Sequence, residues 1–432
     1  FVTMNEDSKK RLSQYRKLCY VVLALIGVWV LFSYGSKKVI DEPLVIEHKP
    51  GTEQWAQKEY DICCVGAGIS GATLAERYAN VLGKSVLVIE RREHIAGNVY
   101  DYVDEVTGMR VSKYGAHLFH TIHKRVWDYI HKFSKWSVWE HEVLAKVNGI
   151  LVPVPVNIDT VNLLFDAGIE SEAEMKVWLE KEKEAENIEK ITNSEEMAIS
   201  RVGRRLFELM FAPYTKKQWN KEAKELGPEV LARIPVRTNH DPRYFSDPYQ
   251  ALPSDGYTPL FERMLDHDLI TVILEADYFD YPNLKCGRTY YSGPISQYFA
   301  DKGLPQLEYR SLQFEVWRFM NTTYYQPNSV VNFPSSTVPY TRAVEYKHFP
   351  SSDETLPHTI VVFETSTDVG EPYYPVPNPK NKAIYEQYKV LADKEKDVAF
   401  VGRLANYKYF NMDQAFLNAL ELFDKDRVLY EQ

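Results

Sequence analysis

The stretch Tyr60–Glu90, YDICCVGAGISGATLAERYANVLGKSVLVIE, decides the fold. A short apolar run, Ile62 to Val65, breaks into Gly66-Ala67-Gly68-Ile69-Ser70-Gly71. A helical pattern follows to about Leu82, then a second apolar strand, Ser85 to Ile89, ending on Glu90. Each part has a task if the ligand is a dinucleotide. Gly66 permits the tight turn, Gly68 lets a pyrophosphate approach the backbone, and Gly71 lets helix and strand pack closely. The helix N-terminus offers free N–H groups to the anion. Glu90 lies about 20 residues past the glycines, where a carboxylate can take a ribose hydroxyl. The unit predicts an α/β, Rossmann-like dinucleotide-binding domain; the alternative is a glycine turn in an ordinary α/β sheet.

Around this unit the totals are those of a globular chain. At 432 residues, two or three domains are expected, with 45% hydrophobic and 26% charged residues. A net charge of −9 argues against a general nucleic-acid surface, so any anion must meet local Arg or Lys clusters. The 30 tyrosines suit stacking sites and polar-tipped packing alike. Cys19, Cys63, Cys64 and Cys286 suggest no disulfide framework; Cys63 and Cys64, in the first strand, face opposite ways and read as small buried hydrophobes. No metal-ligand spacing occurs.

Upstream, a basic tail (1–17) precedes Leu18–Tyr34, LCYVVLALIGVWVLFSY, which carries no charge. The run is at the short end of a membrane span, and the basic excess before it predicts a single-pass anchor with a cytoplasmic N-terminus. A cleaved signal peptide and a buried helix are the alternatives. Residues 35–58 read as a tether.

Downstream, Arg91–Asn98 forms a donor-rich turn, and Tyr114–Thr121 places His117 and His120 beside it. Alternation around Asn148-Gly149 predicts a hairpin. The charged run 170–190 reads as a solvated helical face. Ile199–Phe211 reads as an amphipathic helix ended by Pro213, and the segment from Trp219 to Arg233 as a loop with an aromatic at one end and a cation at the other. Strands follow from Ile270, and Asp397–Arg403 gives a strand and glycine turn before a helix from Met412.

Taken in order, VGAGISGA, REHIAGNVY, KYGAHLFHT, PYTKKQW, RIPVR, YFSDPYQALPSDGYTPL, YSGPISQYF, LEYRSL, VPYTR, EPYYPV and VGRLANYKYFNMDQ resemble the bacterial-type UDP-galactopyranose mutases. The resemblance implies a discontinuous FAD-binding domain (59–135, 250–290 and 395–432), a helical domain with a mobile loop (158–232), and an antiparallel sheet domain (136–157, 233–249 and 291–394). It implies interconversion of UDP-galactopyranose and UDP-galactofuranose, supplying galactofuranose for glycans. Reduced FAD would act through N5 as a covalent nucleophile on the anomeric carbon. Gly66, Gly68, Ser70, Gly71, Glu90, Arg91, Gly97, Asn98, His117, His120, Gly402, Arg403 and Met412 would hold FAD. Arg233 and Arg310 would grip the diphosphate, with Tyr340 and Tyr409 donating to it. Phe211, Tyr214, Tyr244 and Phe245 would form the uridine pocket, with Thr215 and Asn411 also lining the substrate site. Trp219 would ride the closing loop. The catalytic set implied is His120, Arg233 and Arg310. A homo-oligomer is allowed; metal and nucleic acid are not expected.

Three positions depart from the family pattern. Ala96 replaces a usual glycine, Asn411 a common aspartate, and His141 an asparagine that often approaches the sugar. The membrane run is also outside the pattern. These departures keep two rivals open: an amine-oxidase-type FAD oxidoreductase and an inactive nucleotide-sugar-binding homologue.

Overall fold

The computed structural model describes residues 45–46, 54–184, 186, 188–350 and 354–430. The expected glycine unit forms as a strand Glu59–Val65, a helix α1 (Ile69–Leu82) and a strand Val86–Ile89. Around it six strands line up in the order 45–46, 270–273, 86–89, 59–65, 285–291 and 398–400, each pair parallel. Val86–Ile89 is buried at every position, as a strand covered on both faces requires. Ile62, Cys64, Val86 and Val88 face one core; Tyr60, Cys63, Leu87 and Ile89 face the other. Val45–Ile46 adds an edge strand inside what the sequence suggests is a tether. It pairs in parallel with 270–273, a contact that composition alone does not reveal.

Cys63 is not a simple hydrophobe. It pairs with Cys286 as a disulfide between adjacent strands, with Cα atoms 5.7 Å apart, while Cys64 stays free and buried. The partners are 223 residues apart, so spacing gives no hint. Reduction is expected to cost about 2–4 kcal/mol of stability, read as a lower urea midpoint in dithiothreitol.

Against this layer stands a seven-stranded sheet in the order 374–375, 309–319, 359–367, 342–345, 330–332, 143–147 and 150–154. It is antiparallel except where 330–332 runs parallel to 143–147. Its register sets Arg342 opposite Glu364. The hairpin predicted at Asn148-Gly149 is its outer edge. A three-stranded antiparallel sheet, 119–121, 249–253 and 136–138, places His120 opposite Gln250.

Between residues 158 and 232 the chain is mainly helical. Glu172–Glu184 buries only Met175 and Leu179, as the solvated-face reading expects. Pro213 does not end a helix. It sits in α2 (Ala212–Trp219), directly after a π turn at Phe207–Phe211 whose wider hydrogen-bond spacing accommodates the missing N–H. A last helix, α3 (Met412–Arg427), packs on α1.

The single-pass membrane location needs correcting. Among the described residues no helix is long and apolar enough to cross a membrane. The run 18–34 lies outside those residues.

Candidate functional site

The glycine turn opens on a cleft of about 220 Å³. Gly66, Gly68, Ser70, Glu90, Arg91, Gly97, Asn98, His117, Gly402, Arg403, Asn411 and Met412 all line it. Gly71 lies behind: a Cβ there would come within 1.9 Å of the Gly66 carbonyl oxygen. At the cleft floor two bare backbones meet, and a Cβ on Gly97 (φ +55°) would lie 2.8 Å from Gly68 Cα. Such a floor lets a pyrophosphate approach N–H groups that a side chain would screen. Glu90 is nearly buried and accepts from the Ala67 N–H (2.9 Å) and the Arg92 N–H (3.0 Å). A carboxylate has about four acceptor positions, so capacity remains for a ribose hydroxyl. Across the cleft Asn411 caps α3 in a capping box with Gln414, bringing the helix N-terminus to the same space.

Arg403 joins this cleft to a second group of side chains. Its guanidinium stands 5.2 Å from the Tyr409 ring and 5.5 Å from the Tyr374 ring. Tyr409 stacks on Tyr374 at 5.3 Å and lies under Arg233 at 4.5 Å. Burial alone would raise the Tyr409 phenol, but Arg233, Arg403 and Arg342 outweigh it and hold it below the ordinary tyrosine range. Burial opposes the charge on Arg342 too; Glu364, Tyr214 and Tyr374 overcome that and keep it firmly cationic. Glu364 accepts from Arg342 Nε at 2.6 Å. Tyr214 and Tyr244 belong to the same neighbourhood, and burial pushes the Tyr214 phenol up. The result is a wall of arginines and phenols.

His120, on the short sheet, bonds through Nδ1 to Asp247 Oδ2 at 2.6 Å and stacks on Phe245 at 3.7 Å. His141 lies 6.0 Å from both Tyr244 and Phe245. His141 is held neutral, its pKa lowered to about 3 by burial and then by Arg342 and His120. His94, stacked on Tyr100, is lowered to about 4, chiefly by burial. Both folded values lie below the unfolded one, so these groups favour folding above about pH 6.5, and that contribution fades as pH falls. Each is expected to cost about 2 kcal/mol between pH 7 and 5, measured as a shift in urea midpoint.

The other predicted site residues are engaged in packing or in backbone contacts. Phe211 and Thr215 are buried in the protein interior. Tyr340 packs on Phe333 and Phe363, each at 4.8 Å, on the outer sheet face opposite Glu364. Trp219 is buried 6.2 Å from Tyr409, at the flank of the wall. Arg310 is 3% exposed: Nε donates to the Gln218 carbonyl (2.9 Å), Nη2 reaches that of Lys217, and Nη1 pairs with Asp368. It holds the C-terminal end of α2. Sequence reasoning assigned no role to Arg342, Glu364, Tyr374 or Asp247. VPYTR, EPYYPV and YFSDPYQALPSDGYTPL contain three of them, but only strand register sets Arg342 against Glu364.

Residues 209–409 match the family model for UDP-galactopyranose mutase, and residues 64–133 the model for an NAD(P)-binding Rossmann-like domain. The chain is 36% identical to a probable UDP-galactopyranose mutase of Klebsiella pneumoniae over 84% of its own length and 94% of that protein. It is 35% identical to a dTDP-fucopyranose mutase of Escherichia coli, covering 96% of it. The fold is similar to that of a reduced UDP-galactopyranose mutase (TM-score 0.65, 17% identity, 87% of this chain and 95% of that one). It is also similar to that of a putative protoporphyrinogen oxidase from Exiguobacterium sp. 255-15 (TM-score 0.60, 13% identity, 86% and 99%). With relatives above 30% identity along nearly their full length, the chain belongs to the UDP-galactopyranose mutase family.

Proposed function

We propose that this protein interconverts UDP-galactopyranose and UDP-galactofuranose, with FAD along the glycine cleft and the nucleotide-sugar against the arginine–phenol wall. The observation that carries the reading is the junction at Arg403, which lines the cleft and stands over Tyr409 and Tyr374. Bare backbone at Gly68 and Gly97, the Glu90 carboxylate and the α3 N-terminus fit a dinucleotide cofactor. When bound and reduced, FAD supplies at N5 the nucleophile for the anomeric carbon. The chain's residues supply the rest. Arg342 and Arg233 present planar donor forks to the diphosphate while it departs and returns. Tyr409 donates beside them, Tyr214 and Tyr244 offer ring faces to the uracil, and Trp219 covers the flank. Arg310 keeps α2, and so Trp219, in place.

One observation favours a second substrate. The Escherichia coli relative, at nearly the same identity, is named for dTDP-fucopyranose, the product of the same ring change on a different nucleotide and sugar. The test is turnover by FAD-loaded, dithionite-reduced protein of UDP-galactofuranose and dTDP-fucofuranose, with products separated by chromatography. Formation of UDP-galactopyranose only when the flavin is reduced is expected. Product from the dTDP sugar alone would replace the substrate, and product from neither would refute the mutase reading.

A further inference from the structure

Two imidazoles beside Phe245 have opposite hydrogen-bond partners. His120 Nδ1 faces the Asp247 carboxylate at 2.6 Å. A carboxylate only accepts, so Nδ1 carries the hydrogen and Nε2, in the neutral ring, is an acceptor. His141 Nδ1 receives the Trp139 indole N–H at 3.4 Å. An indole only donates, so His141 Nδ1 is bare and its Nε2 carries the hydrogen. Among the described residues neither Nε2 has a protein partner, and neither is among the sealed, unsatisfied atoms of the interior, so each keeps some accessible surface. The rings are near enough for His120 to perturb His141, and Phe245 touches both, stacked on one and tilted 6.0 Å from the other.

We infer that Asp247 and Trp139 are positioning residues that lock His120 and His141 in opposite tautomers, so that the sugar meets one nitrogen that can take and return a proton and one that only donates. The inference rests on the mutase reading above. Ring contraction breaks the C1–O5 bond and forms C1–O4; the ring oxygen gains a proton and the 4-hydroxyl loses one, with no net change. Protonated His120 gives its Nε2 proton to O5 and then takes one from O4, while Nδ1 stays hydrogen-bonded to Asp247, whose charge offsets that of the imidazolium. His141 does not share this work: its buried neutral ring offers a fixed N–H to a sugar hydroxyl. Asp247 Oδ2, as the acceptor, keeps the lock through both halves of the cycle.

The test uses the FAD-loaded full chain with ¹⁵N-labelled histidine, resonances assigned with His120→Gln and His141→Gln. Two-bond ¹H–¹⁵N correlations are expected to show Nδ1–H for His120 and Nε2–H for His141. Asp247→Asn, whose amide can donate, is expected to flip His120 and lower kcat about 100-fold. KM for UDP-galactofuranose should stay within about threefold and FAD content should be unchanged. Asp247→Glu should restore the tautomer and most of kcat. Trp139→Phe should release the His141 tautomer and raise KM about tenfold with kcat nearly kept, the loss expected for one neutral hydrogen bond. A neutral wild-type His120 with its hydrogen on Nε2 and none on Nδ1, or a flipped Asp247→Asn with full kcat, would overturn the inference. Correct tautomers in a protein that turns over no UDP-galactofuranose would instead overturn the mutase reading and the proton role with it.

Discussion

Arg342→Ala is expected to lower kcat/KM by about three orders of magnitude, the range for removing an arginine that meets transferring phosphate charge. Arg342 is the cation common to the wall. Its charge acts on Tyr214, Tyr374 and Tyr409, and its Nε holds Glu364. Glu364 is 1% exposed, and its other oxygen already lacks a partner. Alanine would therefore leave a buried carboxylate alone, at a cost of about 3–5 kcal/mol. Arg342→Ala with Glu364→Gln removes that charge and should regain most of the stability but none of the rate. Arg342→Lys keeps the charge without the fork and should fall between. Near-normal turnover by the double variant would remove Arg342 from the substrate site.

Gly71→Ala is expected to abolish flavin binding. The new Cβ would lie 1.9 Å from the Gly66 carbonyl oxygen and 3.7 Å from Cys64 Cβ. Neither neighbour can yield cheaply, because one is backbone and the other is the fully buried Cys64 side chain. Strand and helix must separate, and overpacking of this kind costs about 1–3 kcal/mol or more. The turn that presents N–H groups to the pyrophosphate would open with them. Absorbance near the flavin band after purification measures the loss, and urea unfolding the destabilisation. A fully flavinated Gly71→Ala protein would contradict the close packing of α1.

These two positions mark what the sequence made legible. Gly71 could be read because its constraint is local: strand, turn and helix follow within thirty residues, and hydrophobic period and glycine chemistry specify them together. Arg342 could not. It faces Glu364 across neighbouring strands, and nothing in either segment states that register. Arg310, in an equally suggestive phrase, instead supports the carbonyls at the end of α2. Tyr340 precedes Arg342 by two residues but lies on the other face of the sheet. Pro213 reads as a stop in the sequence, yet the helical backbone runs on through it to Trp219 because a π turn precedes it. Cys63 and Cys286 meet only because a parallel sheet makes neighbours of distant strands.

That disulfide changes the electron count. A protein that works with reduced flavin is usually titrated on the assumption of one two-electron acceptor per chain. Here Cys63–Cys286 is a second, in the strand that leads into the glycine turn. With the proposed flavin bound, full reduction would consume four electron equivalents, two of them invisible in the flavin spectrum. Cys63 is fully buried, so those two arrive through Cys286 or only after the sheet opens. Flavin absorbance alone would therefore undercount the reductant this chain can take up, and opening the pair would free the strand that leads into the glycine turn.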